Sequence, residues 1–323
     1  MRSVSQAKLD HASSVVLGQC LKVRKGEKVL IVANSETFRI AEALYAKAAE
    51  MGAEPCLLLY PAGIINGEEP PEQVAKAMLQ ADVVVAPTVT SISHTDARRK
   101  VSKKGKTRIS TLPGITEEVF VRGMSADYRY IKKLTRKLHR YLDKAKMVHV
   151  TSPSGTDLTL DIRNRAEISD GDISKPGAFS NLPDGETELA PVSADGMLVI
   201  DRCGDIITEP TKVTLVKGRA TTIQSNASGR RFKKMFADTK KADGHENGRF
   251  VAEFAIGTNP TAKVTGCVLE DEKVLGTCHI AFGDNTSYPG GKNRSALHMD
   301  VIVVKPTITL DGKKIMERGK LLV

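Results

Sequence analysis

The stretch Val251 to Val304 constrains this chain most, because it sets a Glu, two His and an Asp inside runs that otherwise read as buried strands. Desolvating such side chains costs several kcal/mol, on the order of 2–7 for a polar group and more for a charge, unless a partner or a metal compensates. In Leu297-His-Met-Asp-Val-Ile302 the two-residue period of a strand puts His298 and Asp300 on one face, about 6.5 Å apart along it. That spacing suits two ligands of one cation. His279 lies between Cys278 and Ile280, and Glu253 interrupts the run Phe250-Val-Ala-Glu-Phe-Ala-Ile-Gly257. A fifth candidate, Glu186, follows a Pro-Asp-Gly turn and is read as a turn residue. Neutral imidazole and carboxylate are the donors that zinc, cobalt and manganese-like ions take. Five such ligands suffice for two metals.

Each residue also has a plainer reading. His279 alone fits a core histidine bonded to a carbonyl, His298 with Asp300 a hydrogen-bonded pair, Glu253 a salt bridge, and Glu186 a solvated turn residue. Five coincidences in one region favour a shared site over five separate explanations.

The 323 residues, 41% hydrophobic and 27% charged, are globular in composition and long enough for two domains. No run approaches the roughly 18 apolar residues of a membrane span, and the first residues are too polar for a secretory signal, so a cytoplasmic protein is expected. The five cysteines (Cys20, Cys56, Cys203, Cys267, Cys278) show no CxxC spacing and read as reduced packing residues. The net charge of +10 lies entirely in residues 1–150, which hold 25 Lys/Arg against 15 Asp/Glu; residues 151–323 hold 23 of each. The basic runs 98–108 and 129–140 define a polyanion-binding alternative. The second run carries Ile131, Leu134, Leu138, Tyr141 and Leu142 at helical spacing, so its charges read as the wet face of an amphipathic helix. With 4% aromatics and no Trp there is little to stack on bases, which argues against nucleic acid as a partner.

Within residues 28–150 apolar strands, among them Lys28-Val-Leu-Ile-Val-Ala33 and Asp82-Val-Val-Val-Ala-Pro87, alternate with helices, which predicts a doubly wound parallel-sheet α/β domain. The first strand is followed by Val-Ala-Asn-Ser-Glu-Thr-Phe38 and not by GxGxxG, so dinucleotide binding is not expected. From about residue 146 the pattern changes to short strands with two-residue turns at Lys217-Gly218 and Asp311-Gly312, interrupted by a helix over 229–241. The expected organisation is an α/β domain over 1–146 and an α+β, mainly β, metal-binding domain over 147–323.

Asn181-Leu-Pro-Asp-Gly-Glu186 with Ala190-Pro191, the Glu253 strand running into Gly257-Thr-Asn-Pro260, Cys278-His-Ile-Ala-Phe-Gly283, His298-Met-Asp300 and Ser154-Gly-Thr-Asp-Leu-Thr-Leu160 resemble the thermophilic leucyl aminopeptidase family, the aminopeptidases T and S. The resemblance covers about 147–323 and is one of pattern before that. It implies a homodimeric, cytoplasmic metallo-aminopeptidase acting on peptides. Its two divalent ions, Zn, Co or Mn, would be held by Glu186, Glu253, His279, His298 and Asp300. A tyrosine after the first His belongs to that family's site, and Tyr288 is the nearest here. Two cations would activate a bridging water, with Glu253, fixed on a strand, as the general base. The same superfamily includes dihydroxypyridine dioxygenases that hold one ferrous ion by two His and one Asp, for which His279, His298 and Asp300 are the candidates. As the resemblance goes, those enzymes carry a His where Glu253 stands and lack counterparts of Glu186 and His279, so the hydrolase is the expected function and the dioxygenase its alternative.

Overall fold

The computed structural model describes residues 4–323. The chain separates into two compact units: residues up to Lys132 with Gly171–Asp184, and Lys133–Asp170 with Gly185–Val323. The division falls inside the helix Tyr128–Leu142 and not near residue 146. The first unit includes a later segment because the short strand Phe179–Asn181 pairs in parallel with Arg108–Pro113.

The first unit is a five-stranded parallel sheet in the order Glu54–Leu59, Lys28–Ala33, Val83–Thr88, Arg108–Pro113, Phe179–Asn181. Val83 to Thr88 are buried throughout, as the unbroken apolar run Val-Val-Val-Ala requires of a strand covered on both faces. Helices Phe38–Glu50, Glu72–Met78 and Asp96–Lys103 lie between successive strands in the chain. Thr95 caps the last of these by accepting a hydrogen bond from the Arg98 amide, and Asp96 in its first turn complements the helix dipole.

The second unit holds two antiparallel sheets. One is eight-stranded, running from Arg219–Ile223 through Thr211–Val216, Ser193–Ile200, Asp157–Asp161, Met147–Thr151 and Thr307–Leu310 to Lys313–Glu317 and Lys320–Leu321. Its tight turns are chemically specified: Lys217 and Gly218 have φ of 50° and 75°, Asp311 and Gly312 have 44° and 84°, the left-handed pair that a two-residue hairpin needs. The other sheet runs His298–Val304, Thr277–Gly283, Val251–Gly257, Glu186–Leu189, Glu167–Ser169. Both sheets feed one core, joined by Leu138 and Leu142 and by Phe232 and Phe236 of the helix Ala227–Asp243. Phe282 meets both of these rings edge-on at 5.6 Å. No described helix is long and apolar enough to cross a membrane.

Phe282 is fully buried in this aromatic cluster, so Phe282→Ala should lower the unfolding free energy by about 3–5 kcal/mol in chemical denaturation. A loss under about 1 kcal/mol would show that the cluster does not anchor the sheet.

Candidate metal centre

Register carries the site. In the five-stranded antiparallel sheet Glu186 pairs with Gly257 and Glu188 with Ala255, Ala255 pairs with His279, and Glu253 with Ala281. Ala281 pairs in turn with Asp300, and Gly283 with His298. Directly paired residues share a face, as do residues two apart on one strand. Glu186, Glu188, Glu253, His279, His298 and Asp300 therefore all project from the same face. The residues between them, Ala255, Gly257, Ala281 and Gly283, are small and leave a basin for the polar groups. The opposite face carries Phe254, Ile256, Ile280, Phe282, Val301 and Val303 into the core.

All five expected ligands meet in this basin. The Nε2 of His279 lies 3.0 Å from Glu253 Oε1, 3.6 Å from Glu186 Oε2 and 3.9 Å from Asp300 Oδ1. The Nε2 of His298 lies 3.1 Å from Glu253 Oε2 and 3.6 Å from Asp300 Oδ1. Donor atoms within 4.8 Å of one another form two trios, Glu186–Glu253–His279 and Glu253–His298–Asp300, sharing Glu253. Glu186 is not the turn residue expected from the sequence: it opens the strand Glu186–Leu189 and is 4% exposed. The set His279, His298 and Asp300, considered as an iron triad, is divided between the two trios.

The second trio fits a divalent ion. Asp300 Oδ1 is buried without a hydrogen-bond partner, and such an orphaned oxygen beside two other donors is a position an ion would satisfy. His298 is oriented as metal-binding histidines are: its Nδ1 lies 2.7 Å from the Asp284 carbonyl, which takes that N–H and leaves Nε2 for the basin. Its side chain is 29% exposed against 2% for Glu253 and 1% for His279, so the basin opens at the His298 end.

Tyr288 comes from the loop after the Thr277–Gly283 strand. Its hydroxyl donates to Glu253 Oε2 at 2.7 Å and lies 3.2 Å from Glu188 Oε2, and its ring stacks on His298 at 6.1 Å. Glu188, Glu272 and Lys273 were not anticipated. Glu188 was legible in principle, since it stands two residues from Glu186 on a strand and so shares its face. Glu272 and Lys273 follow the short helix Val268–Asp271, and no periodicity points from them to the basin.

Charge in the basin is mutually supporting. Burial works against charge on His279, but Glu253, Glu186 and Asp300 outweigh it and carry its pKa up to about 9. Burial also opposes charge on His298, and Asp300 and Glu253 hold it well above the usual imidazole range. Burial would raise Glu253, yet the two imidazoles hold it well below the usual carboxylate range. Burial with the nearby Glu186 and Glu253 pushes Glu188 well above that range. Metal binding needs neutral imidazole and ionised carboxylate, so an ion competes with protons here.

Fold and site together define a mixed α/β protein with a buried carboxylate–imidazole centre on the face of an antiparallel sheet. The chain belongs to the NicX family, 2,5-dihydroxypyridine 5,6-dioxygenase, whose model matches residues 8–323. A search of curated protein sequences gave no match. Among solved structures the chain is similar to the 2,5-dihydroxypyridine dioxygenase of Pseudomonas putida KT2440, with a TM-score of 0.80 and 20% identity over 99% of each chain. It is also similar to AmpT from Thermus thermophilus, with a TM-score of 0.74 and 18% identity over 98% of this chain and 100% of that one. At these identities the two structures establish the shared fold and no more. The likeness to aminopeptidase T is thus a likeness of fold, and the family match overturns the expectation of a peptide-cleaving hydrolase.

Two outcomes are predicted. His298→Ala and Asp300→Ala should each lose a bound divalent ion after desalting, while His149→Ala, whose ring pairs with Asp157 at the surface, should retain it; equal content in all three by elemental analysis contradicts the assignment. A raised imidazole pKa means that protonated His279 stabilises the metal-free fold, fully below about pH 6.5, and that this contribution is lost as pH rises through about 9. The melting temperature of chelator-treated protein should therefore fall across that window; a flat or rising profile contradicts it.

Proposed function

We propose that the chain is a metal-dependent dioxygenase that opens the ring of a dihydroxylated N-heteroaromatic of the 2,5-dihydroxypyridine kind. The observation that carries this reading is the family match over residues 8–323, which spans the whole of the buried centre. In place of the expected pair of zinc, cobalt or manganese ions, the reading takes one ferrous ion at the open trio. Glu253, His298 and Asp300 would hold it. This set departs from the two-imidazole, one-carboxylate triad of many iron oxygenases by having Glu253 as a second carboxylate. A bound ferrous ion supplies the electron density that molecular oxygen needs before it can react with a closed-shell ring.

The protein groups orient the ring and handle its protons. Asp284 fixes the His298 ring through its carbonyl. The Tyr288 hydroxyl, held between Glu253 and Glu188, lies where it can hydrogen-bond a ring hydroxyl entering past His298. Glu188, pushed up by burial and by Glu186 and Glu253, keeps a proton beside Tyr288. Apolar residues behind the sheet keep the basin dry on that side, which strengthens these polar contacts. Both oxygen atoms of O2 enter the product as the bond between ring carbons 5 and 6 breaks, so no external reductant is required.

Protein loaded anaerobically with Fe(II) should consume about one O2 per 2,5-dihydroxypyridine, with loss of the ring's ultraviolet absorbance. Tyr288→Phe should lower kcat about 10- to 100-fold with iron content unchanged. No oxygen uptake, together with release of arylamine from an aminoacyl-arylamide, would overturn the reading.

A further inference from the structure

Lys273 is a buried lysine that the proposed chemistry does not use. Its side chain is 5% exposed, its ammonium pairs with Glu186 Oε1, and it lies 2.8 Å from Glu272 Oε1. Lysine is almost never buried to this degree without a specific reason. The chain also builds a support for it. The Asn259 amide donates to the Lys273 carbonyl at 2.8 Å, the Leu275 amide donates to the Asn259 carbonyl at 3.0 Å, and the Lys273 amide donates to the Glu270 carbonyl at 3.0 Å. Gly257, the register partner of Glu186, makes room for this segment: a Cβ there would run into the backbone of Lys273 and Val274. The ammonium is thus delivered by pinned backbone to the carboxylate at the closed end of the basin.

That carboxylate belongs to the trio Glu186–Glu253–His279, the second place in the basin where an ion could sit. We infer that Lys273 is a built-in monovalent substitute for a second metal, neutralising Glu186 so that the basin takes a single divalent ion at Glu253, His298 and Asp300. The inference rests on the reading of that open trio as a metal site. A divalent ion bonded to the other oxygen of Glu186 would lie within a few ångströms of the ammonium in a water-poor site, where like charges repel strongly. Removing the ammonium also takes the cation from Glu186 Oε1, leaving His279 to serve both Glu186 and Glu253, and a second ion then compensates the unmatched buried charge. Lys273 is therefore a positioning and specificity residue that sets metal stoichiometry without touching the ion at the open end.

The experiment counts Co(II) per chain, by elemental analysis and by calorimetric titration of chelator-treated protein, in the wild type, Lys273→Met and Lys273→Gln. The expected result is one Co(II) in the wild type, lost in His298→Ala, and two in both lysine variants. The second site should tighten at least about 100-fold over the wild type and disappear again in Glu186→Gln/Lys273→Met. A variant that needs metal to fold is refolded in Co(II) and counted after desalting. Two ions in the wild type, or one in a lysine variant, overturns the inference and leaves the open trio standing. No retained Co(II) in the wild type overturns the metal reading itself, and the role of Lys273 with it.

Discussion

The rest of the second unit depends on one constraint, which is that several carboxylates and two imidazoles share a single buried sheet face. Ionised groups out of water are tolerated only when each has an opposite charge, a hydrogen bond or a metal within reach. The sheet meets that demand by register. Glu253, Ala281 and Asp300 stand in one row, and Glu188, Ala255 and His279 in the next. Alternating large polar residues with Ala and Gly keeps the charged groups within 3 to 4 Å of one another without clashes. A slip of one residue would send all of them into the aromatic core around Phe282 and bring Phe254 and Ile280 into the basin, so the hydrophobic face fixes the polar one.

The basin is graded from end to end. At one end His298 reaches solvent and Tyr288 stacks on it. At the other, Glu186 is closed off and matched by Lys273. The ring-opening chemistry proposed for the chain would lie at the first end. The second end serves electrostatic balance, and its backbone supports at Gly257 and Asn259 show that the match is built into the fold and is not an incidental surface pair.

Much of this was legible in the sequence. His298 and Asp300 on alternate positions of an apolar run, and Glu253 and His279 inside others, could be read as one site because strand periodicity is strict. The Lys217-Gly218 and Asp311-Gly312 turns were equally plain, since few sequences accept two successive left-handed residues. Other features depended on long-range pairing that composition does not encode. The strand Phe179–Asn181 joins the parallel sheet of the first unit from a distant part of the chain, so a single border near 146 could not describe the units. Glu186 sits directly after turn chemistry, yet it pairs with Gly257 and is a strand residue. Lys273 follows a four-residue helix, and only its approach over Gly257 brings it to the basin. The expectation of a hydrolase rested on the ligand types at Glu186, Glu253 and His279, and a fold with a set of ligand types does not fix the reaction that the site performs.

A single divalent ion at the open end of the basin is the centre of the proposed function. Its most direct test is a crystal structure of the chain loaded anaerobically with Mn(II), with anomalous diffraction used to locate the metal. One strong peak is expected within bonding distance of Glu253, His298 and Asp300. Its absence from these three residues, or a second peak of equal strength between Glu186 and His279, would contradict the single-ion reading.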